Sequence, residues 1–562
     1  MNISFKKYHL CLLLLPALFM GGCKKDILAL PNPNAPTPTA SLITESGIDA
    51  FAEGIYEKFI AYESGDGDLN FFELQWLIES NMGDENFSPY SNYGGRYPMN
   101  VASITLPAPY NTVIPNPSGY ATQLDILQAE NTRTAGDGNA IQWEWDVFYY
   151  INAQANTLLS ALSNPALVLT GDAATKKKLL QAWAYYWKGY CYSKLGSMYI
   201  AALIDDSPDS TNLGLTSNIY VANTAVLTDA NANFSHALAL FNSITEDADY
   251  DATFEAIIPT FNENTQIITP AMWARQIHTF EARNYLANHK VAAMGASDWN
   301  TILNEADSGM VAGDYTLEWG MTPGDVNDLS NPVALTYPFH PYEMDNANTA
   351  LTFVSERLIQ DFQPGDARFT RNFGLYPGGS VVNVRSRGIQ FGTRYIPTYV
   401  ENGGSFATLE QMGHCPIAPT YEENALMIAE ADIYLSNISQ GLSIIDQVRA
   451  YQNAGLPPAA SHGLTLDSAV AQLHSERRIG LYDRGVAWYD ARRWGITAPA
   501  SSGGGRANAN VLVPGSLIGG GSTPATILPC FINYYFVDYW DVPQNELDFN
   551  PAAAGSAPTA NQ

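Results

Sequence analysis

The chain has 562 residues, with 28 Lys+Arg against 56 Asp+Glu and a formal charge of −28. An acidic field of that size repels phosphate backbones and excludes a nucleic-acid-binding role. The length allows roughly two to four ordinary domains or one large helical array, and a 12 % aromatic content supplies ample area for burial.

Lys6 and Lys7 precede an apolar run from Leu10 to Met20, interrupted by Pro16, and then Gly21-Gly22-Cys23. A charged start, a short apolar stretch and small residues describe a signal peptide over residues 1–22, too short to span a bilayer. A cysteine directly after the small residues resembles a bacterial lipobox, in which the thiol is acylated; Met20 stands where Leu is usual. Ordinary secretion with an incidental Cys23 is the alternative. Lys24-Lys25-Asp26 follows, with Pro31, Pro33, Pro36 and Pro38, so 23–45 reads as a semi-rigid lipidated tether. No later stretch offers about 18 consecutive apolar residues, which leaves the acyl chains as the membrane anchor. Cys191, Cys415 and Cys530 are odd in number and widely spaced, so at most one disulfide forms, and no CxxC pair points to zinc.

Residues 46–310 read as the first part of a helical array. In "EWDVFYYINAQANTLLSAL" Trp145, Phe148, Tyr149, Asn152, Asn156 and Leu159 recur at helical spacing. In "KKLLQAWAYYWKGYCYSKLGSMY" Leu180, Trp183, Trp187, Tyr190 and Leu195 fall near one stripe, with Lys188 and Lys194 expected in solvent or snorkelling. Asp247-Ala-Asp249-Tyr-Asp251 imitates the opening of a calcium loop but lacks the later Gly and Glu, and reads as a polar turn. "MWARQIHTFEARNYL" and "SDWNTILNEADSGM" form a helix pair. Residues 311–410, rich in Pro, Gly, Asn and β-branched types, read as a loop-rich capping region with short strands.

Residues 411–495 return to helix pairs through "YEENALMIAEADIYLSNISQ" and "GLSIIDQVRAYQNAGL". Ala282, Ala306, Ala429 and Ala431 allow close helix approach, and the pairing looks tetratricopeptide-like, degenerate and split by insertions. Residues 476–495, "ERRIGLYDRGVAWYDARRWG", place Arg477, Arg478, Arg484, Arg492 and Arg493 among aromatics. Leu466, Val470, Leu473, Arg477 and Leu481 share one helix face, so Arg477 lies on an apolar stripe. A guanidinium there needs a carboxylate, and Glu423, Glu430 and Asp490 are the candidates. Residues 496–562 read as a Gly-rich loop over 499–526 and a C-terminal segment whose last dozen residues are disordered.

Catalytic signatures are missing: there is no Gly-x-Ser-x-Gly elbow, no His-Glu-x-x-His and no phosphate loop. The eight histidines show no ligand spacing, so no metal site is expected. Asp84/Glu85, Asp205/Asp206 and Glu422/Glu423 read as solvated surface acids, although a glycosidase pair of carboxyls is the enzyme alternative.

The arginine-rich stretch resembles the C-terminal signature of the SusD/RagB family of Bacteroidetes outer-membrane lipoproteins. Glu476, Arg477, Leu481, Gly485, Asp490, Arg493, Trp494 and Gly495 match it, whereas Gly480, Arg484 and Ala487 depart, which implies a rewired salt-bridge network. Cys23 with its tether, "WEWDVFYYINAQANTLL", Asp366 and Arg368, Glu423 and Glu430, and Pro543, Glu546 and Asn550 resemble further family segments in the same order; Thr420 stands where Arg is usual. The resemblance implies a mainly α, tetratricopeptide-like scaffold with an irregular capping subdomain. It also implies a surface-exposed, outer-membrane lipoprotein that binds glycan and passes it to a SusC-type TonB-dependent transporter, with no cofactor and no catalysis. Glu430, Arg477, Asp490, Arg493 and Trp494 are its structural motif.

Sugar rings stack on aromatic faces, while their hydroxyls take planar polar partners. "GDENFSPYSNYGGRYP" supplies Asp84, Asn86, Tyr90, Tyr93 and Arg96 after Trp76, and the capping region supplies Trp319, Tyr337 and Tyr342. These are the expected ligand residues. A lipoprotein scaffold that holds protein along its repeats is the competing function, and the chain's charge argues against sulfated or uronate-rich glycans.

Overall fold

Alternation of apolar and polar residues at helical spacing is realised along most of the chain. The computed structural model describes residues 41–60, 78–87, 100–206, 218–258, 266–320, 353–382, 390–398, 402–406, 414–520 and 523–562. Its principal helices are α1 (Glu45–Ile60), α2 (Gln123–Glu130), α3 (Ala140–Leu162), α4 (Ala173–Met198), α5 (Asn223–Phe241), α6 (Ala248–Ile257), α7 (Pro270–Ala287) and α8 (Ala296–Ala306). The short α9 (Glu356–Asp361) and α10 (Ala367–Asn372) follow, then α11 (Tyr421–Tyr434), α12 (Ile438–Tyr451), α13 (Leu466–Gly480), α14 (Ala487–Arg493) and α15 (Gln544–Phe549). The molecule is mainly α, a tetratricopeptide-like scaffold with short strands.

Side-chain caps start many of these helices by satisfying their first N–H groups. Asp172 accepts from Ala174 and Thr175 at α4, Thr269 accepts from Met272 at α7 with Pro270 in the first turn, and Thr465 accepts from Ser468 at α13. The acidic run 247–251 is such a start: Asp247 accepts from the N–H groups of Asp249 and Tyr250 and opens α6. Small residues set the packing distance. A Cβ at Gly189 of α4 would come within 2.6 Å of the Phe234 ring of α5; Ala282, Ala306 and Ala431 are buried where α7, α8 and α11 meet, and Ala429 is buried where α11 meets α12 and α13.

Rings fill the core of α3–α7. Trp183 meets Trp187 and Trp273 edge-on, at centroid separations of 5.5 and 6.0 Å. Phe241 stacks on Trp273 at 5.3 Å, and Trp183 Nε1 donates to the Ala52 carbonyl. Lys188 does not reach solvent as expected, and Lys194 is only partly exposed. Lys188 Nζ lies 2.6 Å from Asp206 and donates to Asn156, and Lys194 Nζ lies 2.9 Å from Glu79. Lys188 is buried and Lys194 is partly buried, each held by a carboxylate from another segment.

Strands lie outside the helical stack. Strands β1 (Asn86–Phe87), β7 (Phe353–Val354), β8 (Phe373–Leu375) and β11 (Tyr395–Pro397) form one sheet in the order β1-β7-β11-β8. The larger sheet runs β3-β2-β14-β13-β10-β9, from β2 (Ser103–Thr105), β3 (Val113–Pro115), β9 (Val381–Val382), β10 (Gly392–Thr393), β13 (Arg506–Val513) and β14 (Thr526–Asn533). Two-stranded pairs are β4 (Ala201–Ala202) with β5 (Val221–Ala222), and β6 (Glu318–Gly320) with β12 (His414–Pro416). Short strands therefore extend beyond 311–410.

Two expectations for the C-terminal segment are corrected. Part of the expected loop over 499–526 is β13, paired antiparallel to β14 from Ala509↔Cys530 to Val513↔Thr526, with Ala509, Val511 and Val513 facing the core. Flanking glycine runs hide this short alternation in the sequence. The last dozen residues are docked: Ala553 and Ala557 donate to the carbonyls of Asn218 and Tyr220, and Val542 donates to that of Thr559. Cys191 and Cys530 are buried free thiols.

Candidate functional site

The arginine-rich stretch occupies α13, α14 and the turn between them, and its charges turn inward. Arg477 Nε and Nη2 donate to the two Asp490 oxygens at 2.7 and 3.0 Å. Arg493 donates to Asp490 at 2.8 Å and to both Glu430 oxygens at 2.6 Å. Two acids and two bases from α11, α13 and α14 thus make one buried chain, with Trp494 Nε1 3.5 Å from Glu430. Burial pushes the Asp490 carboxyl up, but Arg477 and Arg493 outweigh it and hold Asp490 below the ordinary carboxylate range. Glu423, the third candidate partner, pairs instead with Arg283 of α7 at 2.6 Å.

The neighbouring arginines are also employed internally. Arg478 donates to Asp361 and to the carbonyls of Gly83 and Asp84, and Arg492 donates to those of Ser197, Ala287 and Asp538. Arg484 lies 4.3 Å over the Phe406 ring. Glu476 receives Arg368 at 2.5 Å and Arg449 at 2.8 Å, and Arg368 also holds Asp366. Ala487, a departure from the resembling signature, lies against Gly83, where an added Cβ would come within 2.5 Å of it.

Two expected ligand residues belong to this interior and are corrected. Asp84 takes Arg357 at 2.6 Å, the Ser355 hydroxyl and the Tyr534 hydroxyl. Burial raises its carboxyl, and Arg357 with Arg478 and Arg506 brings it below the usual range. Asn86 donates to Asp483 and accepts from Tyr482. Both are buried because the 78–87 segment ends in β1, the edge strand of the four-stranded sheet, and is met by Arg478 of α13 and by Tyr482. The acid pairs Asp84/Glu85 and Glu422/Glu423 are likewise buried, not solvated. Burial, then Asp483, pushes Glu85 well above its ordinary value. Trp319 lies in β6 opposite Cys415 of β12. Trp76, Tyr90, Tyr93, Arg96, Tyr337, Tyr342 and Cys23 lie outside the described residues.

An open cleft of about 430 Å³ lies among α3, α4 and α5, where sequence reasoning singled out no ligand residue. Tyr185 and His236 line it with ring centroids 5.0 Å apart, beside Lys188, Asp206, Asp229 and Asn233. Burial, and then the Asp206 charge, raises Asp229 to about 6. The i, i+4, i+7 spacing of Asp229, Asn233 and His236 on α5 was the available signal. Rings, amide and carboxyls together suit a neutral hydroxylated ligand.

His278, Glu281 and Glu305, on α7 and α8, bring one ligand atom each within 4.8 Å of one another, the one such metal-type group among the described residues. Glu305 comes from the last turn of α8, which no local spacing on α7 reveals.

No family model matches the chain, and no curated protein matches it. Solved structures do, over nearly its whole length. A SusD superfamily protein from Bacteroides vulgatus is 13 % identical, with 92 % of this chain and 98 % of that one covered and a TM-score of 0.52. Surface glycan-binding protein A from Bacteroides thetaiotaomicron is 15 % identical, with 93 % and 100 % covered and a TM-score of 0.54. A SusD-like carbohydrate-binding protein from Bacteroides fragilis is 14 % identical, with 91 % and 99 % covered and a TM-score of 0.52. At such identities the likeness establishes a shared fold.

Proposed function

We propose that this chain, which has the SusD fold, is a cell-surface lipoprotein that binds a glycan and delivers it to a SusC-type TonB-dependent transporter in the outer membrane. The observation that carries the reading is the end-to-end likeness to SusD-fold structures, two of them titled as glycan- or carbohydrate-binding. The lipobox-like Cys23 and the Pro-rich tether support attachment to the membrane. The described interior supports a structural role for the motif arginines, which are held by carboxylates and carbonyls.

With Asp84 and Asn86 withdrawn, the candidate ligand residues from the sequence are Trp76, Tyr90, Tyr93, Arg96, Trp319, Tyr337 and Tyr342. A glycan array on the mature protein is the direct test, followed by calorimetry with the best ligand. Changing Tyr90, Tyr93 and Trp319 together to Ala is expected to weaken binding at least tenfold, about 1.4 kcal/mol, in a folded protein. Unchanged affinity would move the site elsewhere. A protein that binds nothing on the array but retains a protein partner from outer-membrane extracts would instead be a scaffold. Cys23→Ala should release the protein from membranes, and an unmodified mature N-terminus at another residue would remove the lipoprotein claim.

A further inference from the structure

Beneath α13 and α14 lies a second pocket, of about 240 Å³. It is smaller than the roughly 300–1,000 Å³ typical of sites for drug-sized ligands, and it differs in kind from the ion chain beside it. Its charged lining cancels. Arg478 and Arg506 both bind Asp361, at 2.6 and 2.5 Å, and Asp84 is held by Arg357. The lining itself holds two acids, Asp84 and Asp361, and two arginines, Arg478 and Arg506.

Hydrogen-bonding capacity does remain. Thr497 is fully buried and its Oγ1 has no protein partner; the same holds for the buried Nε2 of His474. Both residues line the pocket. Buried hydroxyls and ring nitrogens are normally paired, because leaving one unpaired costs its desolvation. His474 stacks on Trp494 with centroids 3.8 Å apart. Burial holds its imidazole down at about 4, so at neutral pH it offers an uncharged donor or acceptor. Trp494, Ile496 and Met82 supply an apolar side.

Neutral polar groups without partners, set beside an aromatic ring and with no net charge, match a small neutral polyol with apolar C–H faces. We propose that this pocket binds one neutral sugar ring, the terminal or branch residue of a glycan, and that Thr497 and His474 fix its hydroxyls. The proposal rests on the glycan-binding reading above and names a subsite apart from the loops considered there.

The test uses free neutral hexoses and, separately, the glycan found on the array. Two variants accompany wild type. Thr497→Val removes the hydroxyl while keeping the volume, and Ala471→Trp fills the exposed rim without touching the ion pairs. At least one hexose should shift the His474 ring signals in NMR. Its affinity should fall at least tenfold in both variants, and Thr497→Ser should restore it. The unliganded Thr497→Val protein should melt no lower than wild type. If no hexose shifts the His474 signals, or if the rim variant binds as wild type does, the pocket holds water only and the proposal is overturned. If the array glycan binds wild type and both variants equally, the subsite falls while glycan binding stands. A hexose that reaches His474 in a protein blind to every array glycan would uphold the pocket and remove the uptake reading.

Discussion

The half of the molecule built on α3, α4, α5 and α7 buries rings, whereas the half built on α11, α13 and α14 buries charges. Trp183, Trp187 and Trp273 have essentially no exposed surface in the first; Glu430, Asp490, Arg477 and Arg493 have almost none in the second. Ring packing is non-directional and scales with area, so a substitution there costs what it uncovers or leaves hollow. Ion packing is directional, so the cost depends on which partner is left behind. The second half consequently fixes which helix faces meet: Arg493 reaches α11 through Glu430, while Arg477 ties α13 to α14 through Asp490. The two halves meet where Lys194 of α4 binds Glu79 and the Tyr489 hydroxyl, and again where Arg283 of α7 binds Glu423 of α11.

The sharpest way to break this contrast is Arg493→Ala beside Trp273→Ala. Arg493→Ala strands Glu430 and should cost about 3–5 kcal/mol; Trp273→Ala should cost a similar 3–5 kcal/mol through its cavity. Their pH dependence should differ. Asp490 and Glu476 are held below their ordinary values of 3.8 and 4.5 despite burial, by Arg477 and Arg493 and by Arg368 and Arg449. For a depressed carboxylate the unfolded chain binds the extra proton. The stabilisation is therefore complete above the unfolded pKa and is lost progressively as pH falls below about 4 towards the depressed folded values. Urea midpoints at pH 7 and pH 3.5 should show Trp273→Ala keeping the acid-side loss of wild type and Arg493→Ala losing part of it. Equal acid-side losses in both variants would erase the distinction.

Arg477→Met should cost less than Arg493→Ala, about 3 kcal/mol, because Asp490 keeps its bond from Arg493 and Arg477 Nη1 has no partner to lose. Denaturant midpoints decide the order. A cost equal to that of Arg493→Ala would mean that the two guanidiniums do not share Asp490.

The sequence made the charge-rich half legible because Arg477 falls on an apolar stripe, and an unpaired guanidinium there is too costly to leave. It could name Glu430 and Asp490 as partners, but not exclude Glu423, whose guanidinium comes from α7, 140 residues earlier. The ring-rich half was legible as helices through Trp183 and Trp187. The burial of Lys188 and the internal pairing of Lys194 were not, since they depend on Asn156, Asp206 and Glu79, brought in from other segments. The same reason hid the candidate sites. Asp84 looks like a loop acid until Arg357 is placed beside it, and the α5 cleft needs α3 and α4 to close it. Local periodicity reports a face, whereas identity of the facing group is a property of the assembled chain.

The smallest expected effect tests the seam between α7 and α8, where charge is buried without a guanidinium or ammonium to meet it. Glu281 is raised to about 8 from 4.5, by burial first and by Glu305 second; its other neighbour is the His278 imidazole at 3.9 Å. Here the sign is opposite to that of Asp490. A carboxyl with a raised folded pKa holds its proton in the folded state after the unfolded chain has released it. Stability therefore falls as pH rises between about 4.5 and 8. Glu281→Gln stays neutral throughout and should remove that slope, so its melting temperature should pull ahead of wild type by about a degree or two at pH 8 and match it near pH 5. The exposed position of Glu305 limits the size of the difference. Parallel melting curves across pH 5 to 8 would show that Glu281 titrates as a solvated acid, and that the ring-rich half contains no buried charge sensitive to this range at α7.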